Sequence, residues 1–196
     1  RYNNQLNSIS SNEYNGETLV DDGVRNTHPV WSPDGKKFAY LSTNENDYFG
    51  QTDLYVYSFD DSESLKLVPG VFSAPVWLDE NSLIFSMKSA PNKNGSKYYD
   101  LYLYSLDDEK KEPKRLTYNK RLTSPSIDYI SNKIAAVGIS DGTSNIYIAD
   151  LYLNPIGLDN HKEYDKINFI IYSIGRSWAS TTSWFTGRYH SLFDFG

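Results

Sequence analysis

The stretch HPVWSPDGKKFAYLS, from His28 to Ser42, recurs twice downstream in weaker form, and this recurrence limits the fold more than any single motif does. A segment repeated at a fixed interval of this size marks a propeller or solenoid, in which each unit buries its faces against its neighbours. Val30-Trp31 returns as Val76-Trp77 and, degenerate, as Ser126-Ile127. Each pair follows a proline, Pro29, Pro75 and Pro125, so the interval is 46 and then 50 residues. A second marker keeps nearly the same step: Asp53-Leu54-Tyr55-Val56-Tyr57 returns from Asp100 to Tyr104 and from Asn145 to Ala149, at intervals of 47 and 45.

Within the unit, short runs rich in Tyr, Val, Ile and Leu are separated by Gly, Pro, Asn, Asp and Ser, the pattern of strands and turns. Tyrosine number, 17 in a chain of 196 residues, strengthens that reading. In the first full unit His28–Ser32 reads as an inner strand, Pro33-Asp34-Gly35 as a tight turn, Lys37–Ser42 as the returning strand, Asp53–Phe59 as the third and Ser64–Val68 as the fourth. Phe38, Tyr40, Tyr55 and Tyr57 alternate with Leu54 and Val56, so both faces are apolar, as a sheet stacked between two others requires. The expected partition is a partial unit over 1–23, units over 24–69, 70–117 and 118–153, and an aromatic-rich C-terminal segment over 154–196, read as a divergent unit or closing segment.

Composition removes several function classes. The net charge is −6 and the lysines and arginines are scattered, so the basic stripe of a nucleic-acid binder is missing. The absence of cysteine excludes disulfides and thiolate metal sites and fits either redox compartment. The longest apolar run, Ile167–Ile174, falls short of the ~20 residues of a membrane helix, so no membrane span is expected. The chain starts at Arg1 and its single methionine is Met87, which reads as a processed chain or a piece of a longer one.

Taken together, HPVWSPDGKKFAYLS, TDLYVYSFD, YDLYLYSLDD and the KRLT of 114–117 resemble the WD-repeat-like propeller units of the periplasmic protein TolB and of the N-terminal propeller of prolyl oligopeptidase-type peptidases. The resemblance covers about residues 24–153. It implies an all-β fold, a β-propeller of four-stranded antiparallel blades, partial at about three to four blades because such rings close on more. It also implies a periplasmic or secreted location. It says little about activity, because propellers carry unrelated functions.

If strands alternate in direction, the short turns lie at one end of the blades and the long connections at the other. The long-connection end gathers Arg25, Asn26 and His28, then Asn46 and Tyr48, then Lys97, then Arg121 and Asp141, and these are the candidate partner-binding residues. No catalytic residue is assigned. Gly175-Arg176-Ser177-Trp178-Ala179 approaches the Gly-x-Ser-x-Gly elbow of hydrolases, but its last glycine is replaced and too little chain follows to position an acid and a histidine. His28, His161 and His190 are isolated, and Asp141-Gly142 alone is no calcium loop, so no metal is assigned. There is no phosphate loop and no dinucleotide fingerprint, hence no cofactor.

The first expectation is therefore a non-catalytic TolB-like module, not an enzyme, that binds a protein or peptide through its loop face. The second is the substrate-gating propeller of a serine peptidase whose catalytic domain lies outside this chain. A carbohydrate lyase would need histidines and acids converging on the channel, and His28 alone supports it.

Overall fold

A computed structural model describes residues 6–8, 17–22, 24–44, 50–118, 121–140 and 142–151. Among them every regular element is a strand: β1 Leu6–Ser8, β2 Glu17–Val20, β3 Asn26–Trp31, β4 Lys37–Ser42, β5 Asp53–Ser58, β6 Glu63–Val68, β7 Val76–Trp77, β8 Ser82–Lys88, β9 Tyr99–Ser105, β10 Lys114–Arg115, β11 Leu122–Asp128, β12 Lys133–Ser140 and β13 Thr143–Asp150. They form antiparallel sheets in chain order, β1-β2, then β3-β4-β5-β6, then β7 to β10, then β11-β12-β13. We call the last three blades 1, 2 and 3. The C-terminal segment beyond Leu151, with Ser177, His161 and His190, lies outside the described residues.

The turns that open each blade share one device. In blade 1, Asp34 Oδ1 accepts from the Lys36 amide at 3.1 Å, with Gly35 at φ 71°. Blade 2 lacks the Pro-Gly pair, yet Asp79 Oδ1 accepts from the Asn81 amide at 2.9 Å. In blade 3, Asp128 Oδ1 accepts from the Ile130 amide at 3.0 Å, and Asn132 takes the left-handed conformation at φ 52°. An aspartate bonded to the amide two residues on mimics a backbone turn, so the carboxylate fixes the hairpin where glycine and proline are absent. Ser32 and Ser131 donate to Asp34 and Asp128, and these bonds, first among the causes, hold both carboxyls below the usual carboxylate range.

Side-chain alternation then sorts each blade into two faces. Blade 1 turns Ala39, Leu41, Leu54 and Val56 toward blade 2, where they meet Trp77, Leu83, Phe85, Tyr102 and Tyr104. Blade 2 turns Ile84, Leu101 and Leu103 toward Ile134, Ala136 and Ala149 of blade 3. Phe38, Tyr40, Tyr55 and Tyr57 pack on the opposite side of blade 1, with Leu19 and Val20 of β2. Blades 1 and 2 so present large rings backward and aliphatic side chains forward, whereas blade 3 meets blade 2 with small and aliphatic side chains. The seam is pinned by polar bonds as well: Trp77 is fully buried and its Nε1 donates to the Val30 carbonyl at 2.9 Å, and the Tyr129 hydroxyl donates to the Trp77 carbonyl at 2.5 Å.

Candidate functional site at the long-connection end

Strands β3, β7 and β11 lead their sheets and touch across the seams, so the blades converge along these first strands. Two of them carry a bulge at the Xaa-Pro step, between Thr27 and Val30 and between Thr123 and Ser126. His28 and Ser124 sit at equivalent positions in these bulges with φ of 56° and 51°. Bulges re-aim side chains, and here the exposed His28 ring is set beside the Thr27 hydroxyl, 3.0 Å from Nδ1. Arg25 and Arg121 are likewise equivalent, each four residues before the bulge proline; both are exposed, and Arg121 has φ 54°. Arg25 is held by its backbone, donating its amide to Thr43 Oγ1 at 3.2 Å and accepting from the Thr43 amide at 3.1 Å.

Lys97 lies on the connection from β8 to β9, which is built firmly for a loop. The Ser89 amide bonds the Tyr98 carbonyl at 2.8 Å, closing its base, while Asn92 Oδ1 accepts from the amides of Asn94 and Ser96, both at 2.9 Å. Of the other expected residues, Asn26 is the first residue of β3 and is buried, its Nδ2 donating to Asp22 Oδ1 at 2.9 Å. Asn26 therefore braces the strand from within instead of lying on the surface. Among the described residues its Oδ1 meets no hydrogen-bond partner. Asn46, Tyr48 and Asp141 lie outside the described residues. Arg25, His28, Lys97 and Arg121 share one end of the blades, with His28 and Arg121 two blades apart.

Several residues of this end were not singled out by sequence reasoning. The Arg121 guanidinium lies 5.1 Å from the Tyr98 ring centre and Lys88 Nζ 5.4 Å from that of Tyr99. Tyr99 packs against exposed Phe72, with ring centres 4.3 Å apart. Arg115 lies 4.6 Å from the ring of exposed Tyr118 while bonding fully buried Asp100 at 2.5 Å. The consecutive Tyr98-Tyr99 pair was the available signal, since adjacent strand residues point to opposite faces and one of two rings has to find cover outside the blade's own core.

A cleft of about 350 Å³ between β2 and blade 1 is lined by Asp22, Tyr40, Tyr55, Ser64 and Lys66 among others. Its polar groups are engaged: the Tyr40 hydroxyl donates to Ser64 Oγ at 2.9 Å, that of Tyr55 to the Asn44 carbonyl at 3.2 Å, and Lys66 pairs with Asp53 at 2.9 Å. Burial pushes the Tyr40 phenol up to about 12, so it stays protonated at neutral pH and offers no base. No group of His, Asp and Glu among the described residues is disposed to hold a metal ion.

No known family model matches the chain. It is 33% identical over 91 residues to the Bacillus subtilis protein described as uncharacterized peptidase YuxL, covering 42% of this chain and 13% of that one. Among solved structures, TolB from Acinetobacter baumannii superposes with a TM-score of 0.57 at 20% identity, over 74% of this chain and 35% of TolB. A prolyl endopeptidase gives the same TM-score at 16% identity, over 85% of this chain and 25% of its own. The chain thus spans about a third or less of these proteins' lengths. The likeness establishes the fold: these sheets are blades of a β-propeller similar to those of TolB and of the prolyl endopeptidase.

Proposed function

We propose that the chain is a non-catalytic binding module that receives a protein or peptide partner at the long-connection end of its blades, in a periplasmic or secreted setting as the TolB resemblance implies. The observation that carries this reading is the set of exposed cationic and aromatic side chains held on bonded loops and bulges over a buried blade stack. A rigid scaffold with recognition groups on its connections binds without a large ordering cost.

The test changes His28 and Arg121 together. Both have positive φ, so asparagine, which tolerates that conformation, is the substitution of choice over alanine. For a peptide selected by display against the whole chain, His28→Asn with Arg121→Asn is expected to weaken binding about tenfold, measured by calorimetry. Unchanged affinity removes this end from the reading.

A second reading has its own support in the 33% identity to a protein named as a peptidase. Under it the blades gate access to a hydrolase domain elsewhere in a longer polypeptide and do no chemistry themselves. Intact mass and terminal peptide sequencing of the native parent protein separate the two: a hydrolase-sized C-terminal extension selects the gating role, and further blades alone select the binding module.

A further inference from the structure

We infer that the seam between blades 2 and 3, at the long-connection end, is a docking site for an acidic peptide carrying apolar side chains; the inference rests on reading that end as the binding face. Lys88, Lys93, Lys97 and Arg121 are all exposed there, and among the described residues no carboxylate pairs with any of them. The carboxylate of Asp100, next to Tyr99 in β9, is fully buried and already engaged by Arg115 and by the Thr117 hydroxyl, which donates at 3.1 Å. Among the described residues, therefore, no carboxylate neutralises the positive charge at the seam.

The cations are also positioned. Arg121 lies over Tyr98 and Lys88 over Tyr99, and a cation resting on a ring face keeps its N–H donors available at the edge while losing side-chain freedom before any ligand arrives. Between and beside them stand exposed rings, Phe72 at 56% and Tyr118 at 61% of full exposure. Phe72 together with Tyr99 makes an apolar step beside the charges. Cations next to apolar rings match carboxylates next to apolar side chains, which an acidic peptide supplies; a uronate chain, which can lay a C–H face on a ring and a carboxylate on a cation, is the competitor that the test includes.

The distribution of charge over the molecule points the same way. The short-turn end carries Asp60, Asp61, Asp107, Asp108 and Glu109 beside Lys36, Lys110 and Lys111, all exposed, so acids outnumber bases in these turns. An acidic ligand is repelled from that end and drawn to the seam, a steering effect weakened by salt.

The experiment uses the whole chain and two fluorescein-labelled twelve-residue peptides, one alternating Glu and Phe and one alternating Lys and Phe, read by fluorescence anisotropy at low and at moderate NaCl. The Glu peptide is expected to bind at least about tenfold more tightly than the Lys peptide, with affinity falling as salt rises. Lys88→Gln with Lys97→Gln, and separately Arg121→Asn, should each weaken it several-fold, while Lys36→Gln with Lys110→Gln at the other end leaves it unchanged. Equal urea midpoints for all variants show that folding is not the cause. Equal affinity for both peptides, no binding of either, or loss confined to the Lys36/Lys110 variant overturns the inference, as does displacement of the Glu peptide by oligogalacturonate at equal charge concentration. If the Glu peptide fails while a display-selected neutral peptide still depends on His28 and Arg121, the binding face stands and its acidic specificity falls; if the Lys36/Lys110 variant alone loses every peptide, both fall.

Discussion

Trp31 and Trp77 occupy the same position in successive blades and have opposite surroundings. Trp77 is fully buried and bonded to the Val30 carbonyl, whereas Trp31 is 60% exposed, stacking on Phe59, 5.4 Å between centres and 5° between planes, and meeting the Phe38 ring edge-on at 5.9 Å. Trp77→Ala therefore empties a packed seam and breaks a bond, and should cost about 3–5 kcal/mol in urea unfolding. Trp31→Ala loses a surface stack and should cost about 1 kcal/mol or less. Equal losses would contradict the seam geometry. Tyr40 makes a second residue-scale prediction. Its phenol, buried against Tyr55 and β2, rises from 10.0 to about 12, with desolvation as the largest cause. A group whose folded pKa lies above its unfolded value contributes fully below the unfolded one and is lost as pH climbs through the folded one, so stability should decline between about pH 10 and 12. The slope should be shallower in Tyr40→Phe, and absorbance at alkaline pH should lose its latest-ionising tyrosine.

The blades repeat a buried ion pair at the entry of their third strand. Asp53 and Asp100, both nearly or fully buried, pair with Lys66 at 2.9 Å and Arg115 at 2.5 Å from the neighbouring strand, and each also accepts from the chain beyond: the Gly70 amide at 2.9 Å, the Thr117 hydroxyl at 3.1 Å. Arg115→Met leaves Asp100 charged and buried with its main partner gone, so a loss of about 3–5 kcal/mol is expected by denaturant titration, with Arg115→Lys between that and wild type. Blade 3 has Asn145 at the same place. The strand positions were legible because aromatic and branched residues alternate with a period of two, and the faces followed from the same alternation. The turn aspartates were legible as punctuation, although the bond to the amide two residues on was not. Less could be read where backbone did the work without glycine: His28 and Ser124 at bulges, and Arg121 just before β11, adopt positive φ that no residue type announced. Asn26 read as a loop residue because β3 was expected to begin at His28, and two more residues of strand carry it into the interior. The cation-aromatic seam escaped notice because Phe72, Lys88 and Tyr99 are distant in sequence and become neighbours through strand pairing within blade 2, with Arg121 joining them from the start of blade 3.

At the scale of the whole molecule the described blades end in two unlike faces. Backward, blade 1 shows Trp31 and Phe59 beyond the part covered by β2; forward, blade 3 shows Ile139 and Ile146, exposed at 46% and 44%. Ile146 and Ile148 stand where Leu54 and Val56 stand in blade 1, and Leu54 and Val56 are the residues that receive the rings of blade 2. The forward face of blade 3 is thus shaped for the kind of ring surface that the backward face of blade 1 displays, and Ser126 holds the place of Val30, whose carbonyl takes the tryptophan N–H. Two different, complementary patches on one chain make a head-to-tail contact. The isolated 196-residue chain is accordingly expected to self-associate as its concentration rises, in sedimentation velocity, and to do so less in Trp31→Gln with Phe59→Ser. Lys110→Glu, in the exposed β9–β10 turn of blade 2 and so away from both end faces, should leave association unchanged. The double variant should lose little stability, because both rings are exposed, so a shift toward monomer at an unaltered urea midpoint would identify the backward face of blade 1 as the contact. An unaltered sedimentation profile would assign any association to a different surface.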